Sequence, residues 1–359
     1  MAIQALTIRR FRNLEDQDFL PSTGLNVLEG DNAQGKTNLL EAIYYLANGK
    51  SFRTAELSSL IRFESASAEL SARWEQEGLD YRLELSLRPE GRELKFQGKP
   101  IVRLAPVQAS LRVLVFTPDS SQLFRLAPLS RRRYFDHAIS VQSPAYASAL
   151  SRYQRVLRQR NHLLESGAPS HLLEPFDRQW AETAAALLTE RRVYLERLLP
   201  AWKKRWQALS GEDWRLSATW EGPVAERRIG NSEALLEALA EVAAEERRQG
   251  RSLLGPQRED LVLALAGHPV REAASQGQQR MLVIGLKLAE ADLFREESRR
   301  APVFLLDDLG SELDERHRRL LLDSLGEIEA QTFLTSAQSG AYAALHARNF
   351  RVESGLISG

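Results

Sequence analysis

The residues best suited to chemistry lie in one glycine-bounded loop near the start of the chain. Residues 30–37, GDNAQGKT, match the pattern G-x-x-x-x-G-K-[ST] between an apolar run typical of a strand and a run typical of a helix. In such a loop, backbone N–H groups surround phosphates, the lysine reaches the β- and γ-phosphates, and the hydroxyl holds Mg²⁺. We therefore expect a nucleotide phosphate site formed by Gly30, Asp31, Asn32, Ala33, Gln34, Gly35, Lys36, Thr37 and Asn38.

A second chemical feature is a pair of carboxylates at the end of an apolar run. Residues 303–306 are all apolar, and Asp307 and Asp308 follow them directly. A buried parallel strand presents such residues at its carboxyl edge, where ligands bind in open α/β sheets. We expect Asp307 to bind Mg²⁺ and Asp308 to polarise the attacking water as a general base. The alternative interpretation is a buried strand that ends in two solvated acids.

A third feature is a polar segment, SQGQQR, over residues 275–280, 32 residues before Asp307. Small polar residues at a helix N-terminus can bind an anion. Considered alone, Ser275 would be an ordinary N-cap and Gly277 a turn residue. The segment gains significance only from its position between the phosphate loop and the acidic strand.

The surrounding elements indicate an α/β protein with a helical insertion. Strands are predicted over 3–8, 25–28, 68–74, 79–87, 113–116, 214–220, 261–266, 303–306 and 332–335. Helices are predicted over 36–47, 233–248, 278–297 and 314–325, with a mostly helical stretch over 128–209 that is interrupted at 166–169. We expect one lobe formed by 1–120 and 255–359, and a second, basic lobe formed by 121–254.

Composition excludes several classes of protein. The chain has 359 residues and no cysteine, which rules out disulfides, cysteine-ligated zinc, iron–sulfur clusters and thiol catalysis. The six histidines are scattered, without metal-ligand spacing. No run is long enough for a membrane span or for a signal-peptide core. These features favour a cytoplasmic protein.

Net charge is zero, but its distribution is uneven. Residues 121–205 contain 15 lysines and arginines against 7 acids, a local charge of +8. Arginine binds phosphate bidentately, and several such contacts give salt-sensitive binding without sequence recognition. The alternative is a set of solvated helix faces. The candidate DNA contacts are Arg131, Arg132, Arg133, Arg152 and Arg155, with Arg158 continuing the helical spacing.

Taken together, these motifs resemble the ABC-type ATPase heads of the SMC and RecF class, and within it the RecF family of bacterial DNA replication and repair proteins. The similar segments span nearly the whole chain; they are FRN (11–13), the phosphate loop through residue 53, FTPD (116–119), RRRYFD (131–136), GPQR (255–258), SQGQQR (275–280) and LLDD (305–308). The stretch between the two halves is too short for the long coiled coil of SMC proteins. The fold implied is an ABC-type P-loop head of mixed sheets and helices, carrying an inserted, mostly helical lobe.

The resemblance also implies a composite nucleotide site. Ser275, Gly277 and Gln278 match the ABC signature, which in this class reaches the γ-phosphate held by an opposing subunit. ATP and Mg²⁺ would then join two chains head to tail. The dimer interface would include Ser275, Gln276, Gly277, Ser311 and Asp314, the last two in a segment that resembles the D-loop.

The function implied is that of a weak, DNA- and dimer-dependent ATPase in recombinational repair and replication maintenance. It would clamp duplex DNA near single-strand/double-strand junctions, with RecR and RecO as partners in recombinase loading. Two features depart from most ABC ATPases: Asp308 stands where a glutamate is usual, and Thr335 precedes Ser336 and Ala337 where a switch histidine is expected.

Three questions stay open at this point. Gln108 and Gln122 are both candidates for the glutamine-loop residue. A self-contained P-loop phosphotransferase would use Lys36, Thr37 and Asp307 but not the segment at 275–280. The head of another ABC-type ATPase is a further alternative, although a transporter head would normally keep the glutamate and the histidine.

Overall fold

The computed structural model describes residues 1–211, 215–308, 313–338, 342 and 346–359. It divides into two compact units. The first comprises 1–121, 205–211 and 280–359, and the second comprises 122–204 and 212–279.

The strands, in chain order, are β1 (Ala2–Arg9), β2 (Gln17–Phe19), β3 (Leu25–Glu29), β4 (Ala68–Gln76), β5 (Leu79–Arg88), β6 (Gly91–Phe96), β7 (Lys99–Ile101), β8 (Val113–Phe116), β9 (Leu216–Glu221), β10 (Asp260–Leu265), β11 (His268–Pro269), β12 (Val303–Leu306), β13 (Thr332–Ser336), β14 (Ala347–Glu353) and β15 (Leu356–Ser358).

The helices are α1 (Lys36–Asn48), α2 (Ala105–Ser110), α3 (Pro128–Gln142), α4 (Pro144–Glu165), α5 (Ser170–Ser210), α6 (Ser232–Gln249), α7 (Val270–Ala273), α8 (Gln276–Ser298) and α9 (Glu315–Ile328). Short 3₁₀ turns lie at Ser58–Leu60, Pro118–Gln122, Glu226–Arg228 and Pro256–Arg258.

The first unit contains two six-stranded sheets. One is antiparallel, in the order β2-β1-β4-β5-β6-β7. The other has the order β15-β14-β3-β13-β12-β8, and its strands from β14 to β8 run parallel. Because parallel strands share one carboxyl edge, the loop after β3 and the residues after β12 and β13 meet there.

Helix α1 connects the two sheets of this unit. Its side chains at Leu39, Leu40 and Ile43 are buried in a core shared with both sheets, and it packs against β4 on one side and β8 and β13 on the other. Glycines flank the helix, and the N–H of Gly49 closes its last turn on the carbonyl of Tyr45. This packing fixes the helix N-terminus at the carboxyl edge of the parallel sheet.

The second unit is mostly helical, with a small antiparallel sheet of order β11-β10-β9. Helices α3, α4, α6 and α7 lie within it, while α5 and α8 contribute residues to both units. Residues 255–279, expected in the first lobe, fall in this unit, where residues 260–265 of β10 pair with β9.

The element types expected from the sequence agree with the structure at most positions. The hairpin of β4 and β5 and the helices α1, α6 and α8 are confirmed within a few residues. Trp214, expected to begin a strand, lies outside the described residues, and that strand is observed from Leu216. The stretch at 128–209 is broken at Ser143 as well as near Gly167, giving three helices instead of two.

Candidate nucleotide site

The phosphate loop lies between β3 and α1, and two glycines set its path. Gly30 has φ +154°, and a Cβ there would overlap the carbonyl group of Val352 in β14. Gly35, the N-cap of α1, has φ +112°, and a Cβ there would press on the Leu14 side chain. Both positions therefore require glycine, for conformation and for space. The loop leads directly into the positive end of the α1 dipole.

Lys36 is held inside this loop. Its Nζ donates hydrogen bonds of 2.6 Å to the carbonyl oxygens of Gly30 and Asp31. Burial lowers the pKa of Lys36, and the neighbouring carboxylates of Asp308, Asp307 and Asp31 oppose that shift. The ammonium group thus lies inside the loop and within the electrostatic influence of the candidate acids at the end of β12.

Thr37 and Asp307 lie next to each other. The Thr37 hydroxyl donates to Asp307 Oδ1 over 2.8 Å, and the Thr335 hydroxyl donates to the same oxygen over 2.9 Å. Burial raises the pKa of the Asp307 carboxyl, while the hydrogen bonds from the two threonines act in the opposite direction. The hydroxyl and the carboxylate form a pair of hard oxygen donors beside the loop.

This donor pair fits Mg²⁺ better than a metal that needs a protein cage. Mg²⁺ is usually bound through one or two protein oxygens, several waters and substrate phosphates. Within the described ranges, no group of three or more His, Asp or Glu side chains could hold a metal ion. Thr37 and Asp307 are therefore the residues that would hold Mg²⁺ together with a nucleotide.

Asp308 is oriented by Thr335. Its backbone N–H donates to Thr335 Oγ1 over 2.8 Å, and its φ of +51° lies in the left-handed region. Aspartate tolerates this conformation better than most residues, although it is still sparsely populated. The exposed side chain lines the same cleft as Lys36 and Thr37.

These groups open into one cleft of the first unit, with a volume of about 700 Å³. Its lining brings together the loop, the acids and several residues to which the sequence analysis gave no role: Arg12, Asn13, Arg53, Ser59, Ile61, Arg62 and Phe63. No local pattern marks them, because they reach the cleft through sheet pairing and loop contacts.

Arg12 and Arg53 are fixed by one buried acid, Glu41 of α1. Arg12 forms a bidentate pair with the Glu41 carboxylate, with both distances 2.9 Å. Arg53 lies 3.6 Å from the same carboxylate and donates to Asn38 Oδ1 over 2.7 Å. The bidentate pair holds the Arg12 guanidinium in one orientation, and the hydrogen bond to Asn38 holds Arg53 at the same cleft lining.

Some predicted loop residues have anchoring roles in the structure. Gln34 accepts a hydrogen bond from the backbone N–H of Ser354 at its side-chain oxygen, and another from Gly355 N–H at its carbonyl. Its side chain therefore attaches the loop to the turn between β14 and β15. Asn13 Nδ2 donates to the Ala33 carbonyl over 3.1 Å, which fixes the opposite part of the loop.

The segment at 275–280 lies at the start of α8; its residues 275–279 belong to the second unit, and Arg280 begins the part of α8 that belongs to the first. Ser275 Oγ accepts from Gln278 N–H, and Gln278 Oε1 accepts from Ser275 N–H, so the two residues form a capping box. Ser275, Gln276 and Gly277 are exposed. A Cβ on Gly277 would meet nothing nearer than Ser275 Oγ at 3.9 Å, so no contact among the described residues requires glycine there.

Of the two D-loop residues expected at a dimer interface, Ser311 lies outside the described residues. Asp314 is exposed and is the N-cap of α9, where its carboxylate accepts from His317 N–H over 2.9 Å. Hydrogen bonds from His317 lower the pKa of Asp314. The N-cap role thus accounts for Asp314 within the chain itself.

The two candidates for the glutamine-loop residue lie in different elements. Gln108 lies on α2, and Gln122 ends a 3₁₀ turn.

The basic region contains two kinds of arginine. Arg131, a candidate DNA contact, is only 4% exposed and forms a bidentate pair with Asp260. Arg132 is partly buried and donates to the Glu259 carbonyl. Arg191 is 2% exposed and pairs with Asp136 and Glu259. Arg131 is therefore a structural residue, which corrects its sequence assignment, because its guanidinium is fully engaged inside the unit.

The other kind is exposed. Arg133 on α3 and Arg152, Arg155 and Arg158 on α4 all point to solvent. None of the four forms an ion pair with another residue in the part of the chain that the structure describes. These side chains, unlike the buried ones, are available to a phosphate backbone.

A search of the described helices finds none long and apolar enough to cross a membrane.

Comparison with known proteins gives consistent matches along the chain. Residues 2–355 match the model of the RecF/RecN/SMC N-terminal domain. The DNA replication and repair protein RecF of Geotalea daltonii is 32% identical over 94% of this chain and 93% of its own length. The protein of the same name from Heliobacterium modesticaldum is 36% identical over 100% and 99% of the respective chains.

Solved structures agree with the sequence matches. A structure described as the recombination mediator protein RecF-ATPrS in the RecFOR pathway matches with a TM-score of 0.90 and 28% identity, over 99% of this chain and 97% of the other. An Smc head bound to the C-terminal winged-helix domain of ScpA matches with a TM-score of 0.58 and 15% identity, over 100% and 96%, and so shares the fold. The expected head fold is thereby confirmed, and the chain belongs to the RecF family of DNA replication and repair proteins.

Proposed function

We propose that this protein is an ATP-dependent DNA-binding protein of recombinational repair and replication maintenance, which acts as a head-to-tail dimer. The observation that carries the proposal is the single cleft where Lys36, Thr37, Asp307 and Asp308 meet. Similarity to solved RecF-ATP and RecF-ATPrS structures supports ATP as the nucleotide.

The chemistry in the cleft is ATP hydrolysis. Lys36 binds the β- and γ-phosphates once a triphosphate replaces its two carbonyl partners. Thr37 and Asp307 hold Mg²⁺, which neutralises charge on the phosphates during transfer. Asp308 accepts a proton from the attacking water. Its side chain is one methylene shorter than the usual glutamate, which favours slow turnover.

The second half of the site comes from another copy of the chain. Ser275, Gly277 and Gln278 meet the γ-phosphate bound by the opposing P-loop, and Gln276, Ser311 and Asp314 complete the interface. Gly277 is exposed, and no contact among the described residues requires glycine there. Close approach of the opposing subunit's nucleotide would give the missing side chain a reason. Because each site needs both subunits, ATP closes the dimer and hydrolysis releases it.

DNA binds through the exposed arginines of the second unit. Arg133, Arg152 and Arg155, extended by Arg158, contact the phosphate backbone without reading bases. Arg132 is partly exposed and belongs at the margin of this surface. We infer that the closed dimer clamps duplex DNA near single-strand/double-strand junctions. It assists recombinase loading with RecR and RecO, consistent with relatives placed in the RecFOR pathway.

A mixing experiment tests the composite site. Lys36→Ala removes the phosphate-binding lysine, and Ser275→Arg blocks the opposing half, so each variant alone should lose ATP hydrolysis. Mixed together, one chain still supplies an intact Lys36 and the other an intact Ser275. We therefore expect hydrolysis to return on mixing, as measured by phosphate release with DNA present.

A second variant in the opposing half of the site makes the result decisive. Gly277→Ala is free of clashes in the single chain, and alanine favours a helix over glycine by about 1 kcal/mol. It should therefore fold well yet lose hydrolysis. If the Ser275→Arg protein hydrolyses ATP normally by itself, the site is self-contained, and the phosphotransferase alternative replaces the dimer.

A further inference from the structure

One aromatic side chain at the nucleotide cleft is exposed to an unusual degree. Phe63 is 88% exposed and lines the cleft together with Lys36 and Thr37. It is the single aromatic among the large apolar side chains that the described part of the chain leaves exposed. Because the ring lines the same cleft as the phosphate loop, it is placed to contact a ligand bound there.

The backbone that carries Phe63 is tied on both sides. Arg12 N–H donates to the Leu60 carbonyl over 2.9 Å, and Arg62 N–H donates to the Arg10 carbonyl over 2.8 Å. The Arg62 side chain bonds Asp16 over 3.0 Å and also the Leu14 carbonyl. The ring therefore projects from an anchored segment, which keeps it at the cleft.

Beyond the ring, the chain turns sharply. Ser65 N–H donates to the Arg62 carbonyl over 3.0 Å, and Glu64 between them has φ +63°. A glutamate in the left-handed region is uncommon. This turn and the bridge between Phe11 and Ile61 leave Phe63 outside the core that its neighbour Ile61 enters.

The cleft thus has two chemically different parts. The loop, Lys36 and the acids suit a polyphosphate and its metal ion, whereas Ile61 and Phe63 offer an apolar surface. A nucleotide has the same division, with a charged phosphate chain at one end and a flat aromatic base at the other. A volume of about 700 Å³ is within the range of cofactor pockets.

We propose that the Phe63 ring is the platform on which the nucleotide base stacks. This inference rests on the proposed ATP site and specifies its base-binding part. Stacking on a phenyl face does not read hydrogen-bonding edges, and it strengthens with the area of the base. The site therefore takes purine nucleoside triphosphates in preference to pyrimidine ones, through Phe63.

Calorimetric titration with ATP, CTP and inorganic tripolyphosphate, each with Mg²⁺, tests this assignment. Because Phe63 is exposed, Phe63→Ala should fold normally. It should weaken ATP binding by about tenfold, reduce the preference for ATP over CTP, and leave tripolyphosphate binding unchanged. Phe63→Tyr should retain both affinity and preference. Val102→Ala, at a 94% exposed apolar residue outside the cleft lining, serves as the matched control.

The outcomes separate this inference from the proposed function. Wild-type protein that binds neither ATP nor tripolyphosphate would refute the nucleotide site itself. Tripolyphosphate binding with unchanged ATP affinity in Phe63→Ala would overturn only the stacking assignment. A Phe63→Ala protein whose affinities for ATP and for tripolyphosphate fall equally would also overturn the stacking assignment. A Phe63→Ala protein with normal ATP affinity but impaired dimerisation would assign the ring to contact with a second chain.

Discussion

At the scale of single residues, Thr335 links the two aspartates of the nucleotide site. Its hydroxyl donates to Asp307 Oδ1 and accepts from the Asp308 N–H. This position follows from the parallel pairing of β12 and β13, which sets Leu306 beside Leu334; the residues that follow them, Asp307 and Thr335, are joined by the side-chain hydrogen bond. One hydroxyl therefore lowers the pKa of the candidate metal ligand and holds the backbone of the candidate base.

Removal of that hydroxyl should change the pH dependence of activity. The hydrogen bond from Thr335 lowers the pKa of Asp307, opposing the rise caused by burial. Thr335→Val should therefore raise that pKa further. Mg²⁺ needs the ionised carboxylate, so as the solution is acidified the valine variant should lose Mg²⁺-dependent ATP hydrolysis at a higher pH than the wild type does.

Thr335→Ser, which keeps the hydroxyl, is the control for this comparison. The pH–rate profile of the serine variant should overlay that of the wild type. A valine variant with an unshifted acidic limb would show that Thr335 does not influence the metal ligand.

At the scale of elements, buried arginines join the helices of the second unit to the turn at Pro256–Arg258. Arg191 of α5 pairs with Asp136 of α3 and Glu259, donates to the Pro256 carbonyl and stacks over Trp220 of β9. Glu259 is itself buried. Loss of Arg191 would leave Asp136 without its ion pair and Glu259 with Arg192 as its remaining cationic partner, and breaking a buried pair from one side is costly.

We expect Arg191→Met to lower the free energy of unfolding by about 3–5 kcal/mol. Arg152→Met, at an exposed site on α4, should change it by less than about 0.5 kcal/mol, because methionine and arginine have similar helix propensities. Chemical denaturation of both variants checks the contrast. Equal stabilities would mean that the Arg191 network does not hold these elements together.

Elements with strong local patterns could be predicted from the sequence, and those defined by distant partners could not. The glycine-flanked α1 and the alternating hairpin of β4 and β5 carry their own signals. β14 pairs with β3, whose residues are more than 300 positions earlier in the sequence. No local pattern therefore predicts this strand. Likewise, composition does not separate the buried Arg131 from the exposed Arg133, because burial depends on Asp260 in another element.

The residues of the nucleotide site also divide into those that a local sequence pattern predicts and those that distant contacts bring to the cleft. Lys36, Thr37 and Asp307 belong to patterns tied to phosphate and metal chemistry, and the structure brings them together. Arg12, Arg53 and Phe63 have no such pattern, since they reach the cleft through Glu41 and through pairing near Phe11. Their roles depend on tertiary contacts.

At the scale of the whole molecule, a neutral chain can bind DNA if its exposed cations are concentrated. Arg152, Arg155 and Arg158 fulfil that condition on α4. Their combined replacement by alanine should weaken DNA binding uniformly across sequences. The slope of log K against log salt should fall by about 0.9 for each phosphate that the variant no longer neutralises.

Fluorescence anisotropy at several salt concentrations measures this slope. Arg227→Ala, at an exposed arginine outside the basic region, is the control and should leave it unchanged. An unaltered slope in the triple variant would place the DNA surface elsewhere on the molecule.

The central claim is that ATP joins two chains into one composite site, and sedimentation velocity with and without ATP and Mg²⁺ tests it most directly. We expect the wild-type protein to shift from monomer to dimer with ATP, and the Gly277→Ala and Ser275→Arg variants to bind ATP but stay monomeric. A wild-type protein that binds ATP and remains a monomer at saturation, or a Ser275→Arg protein that dimerises normally, would contradict the account.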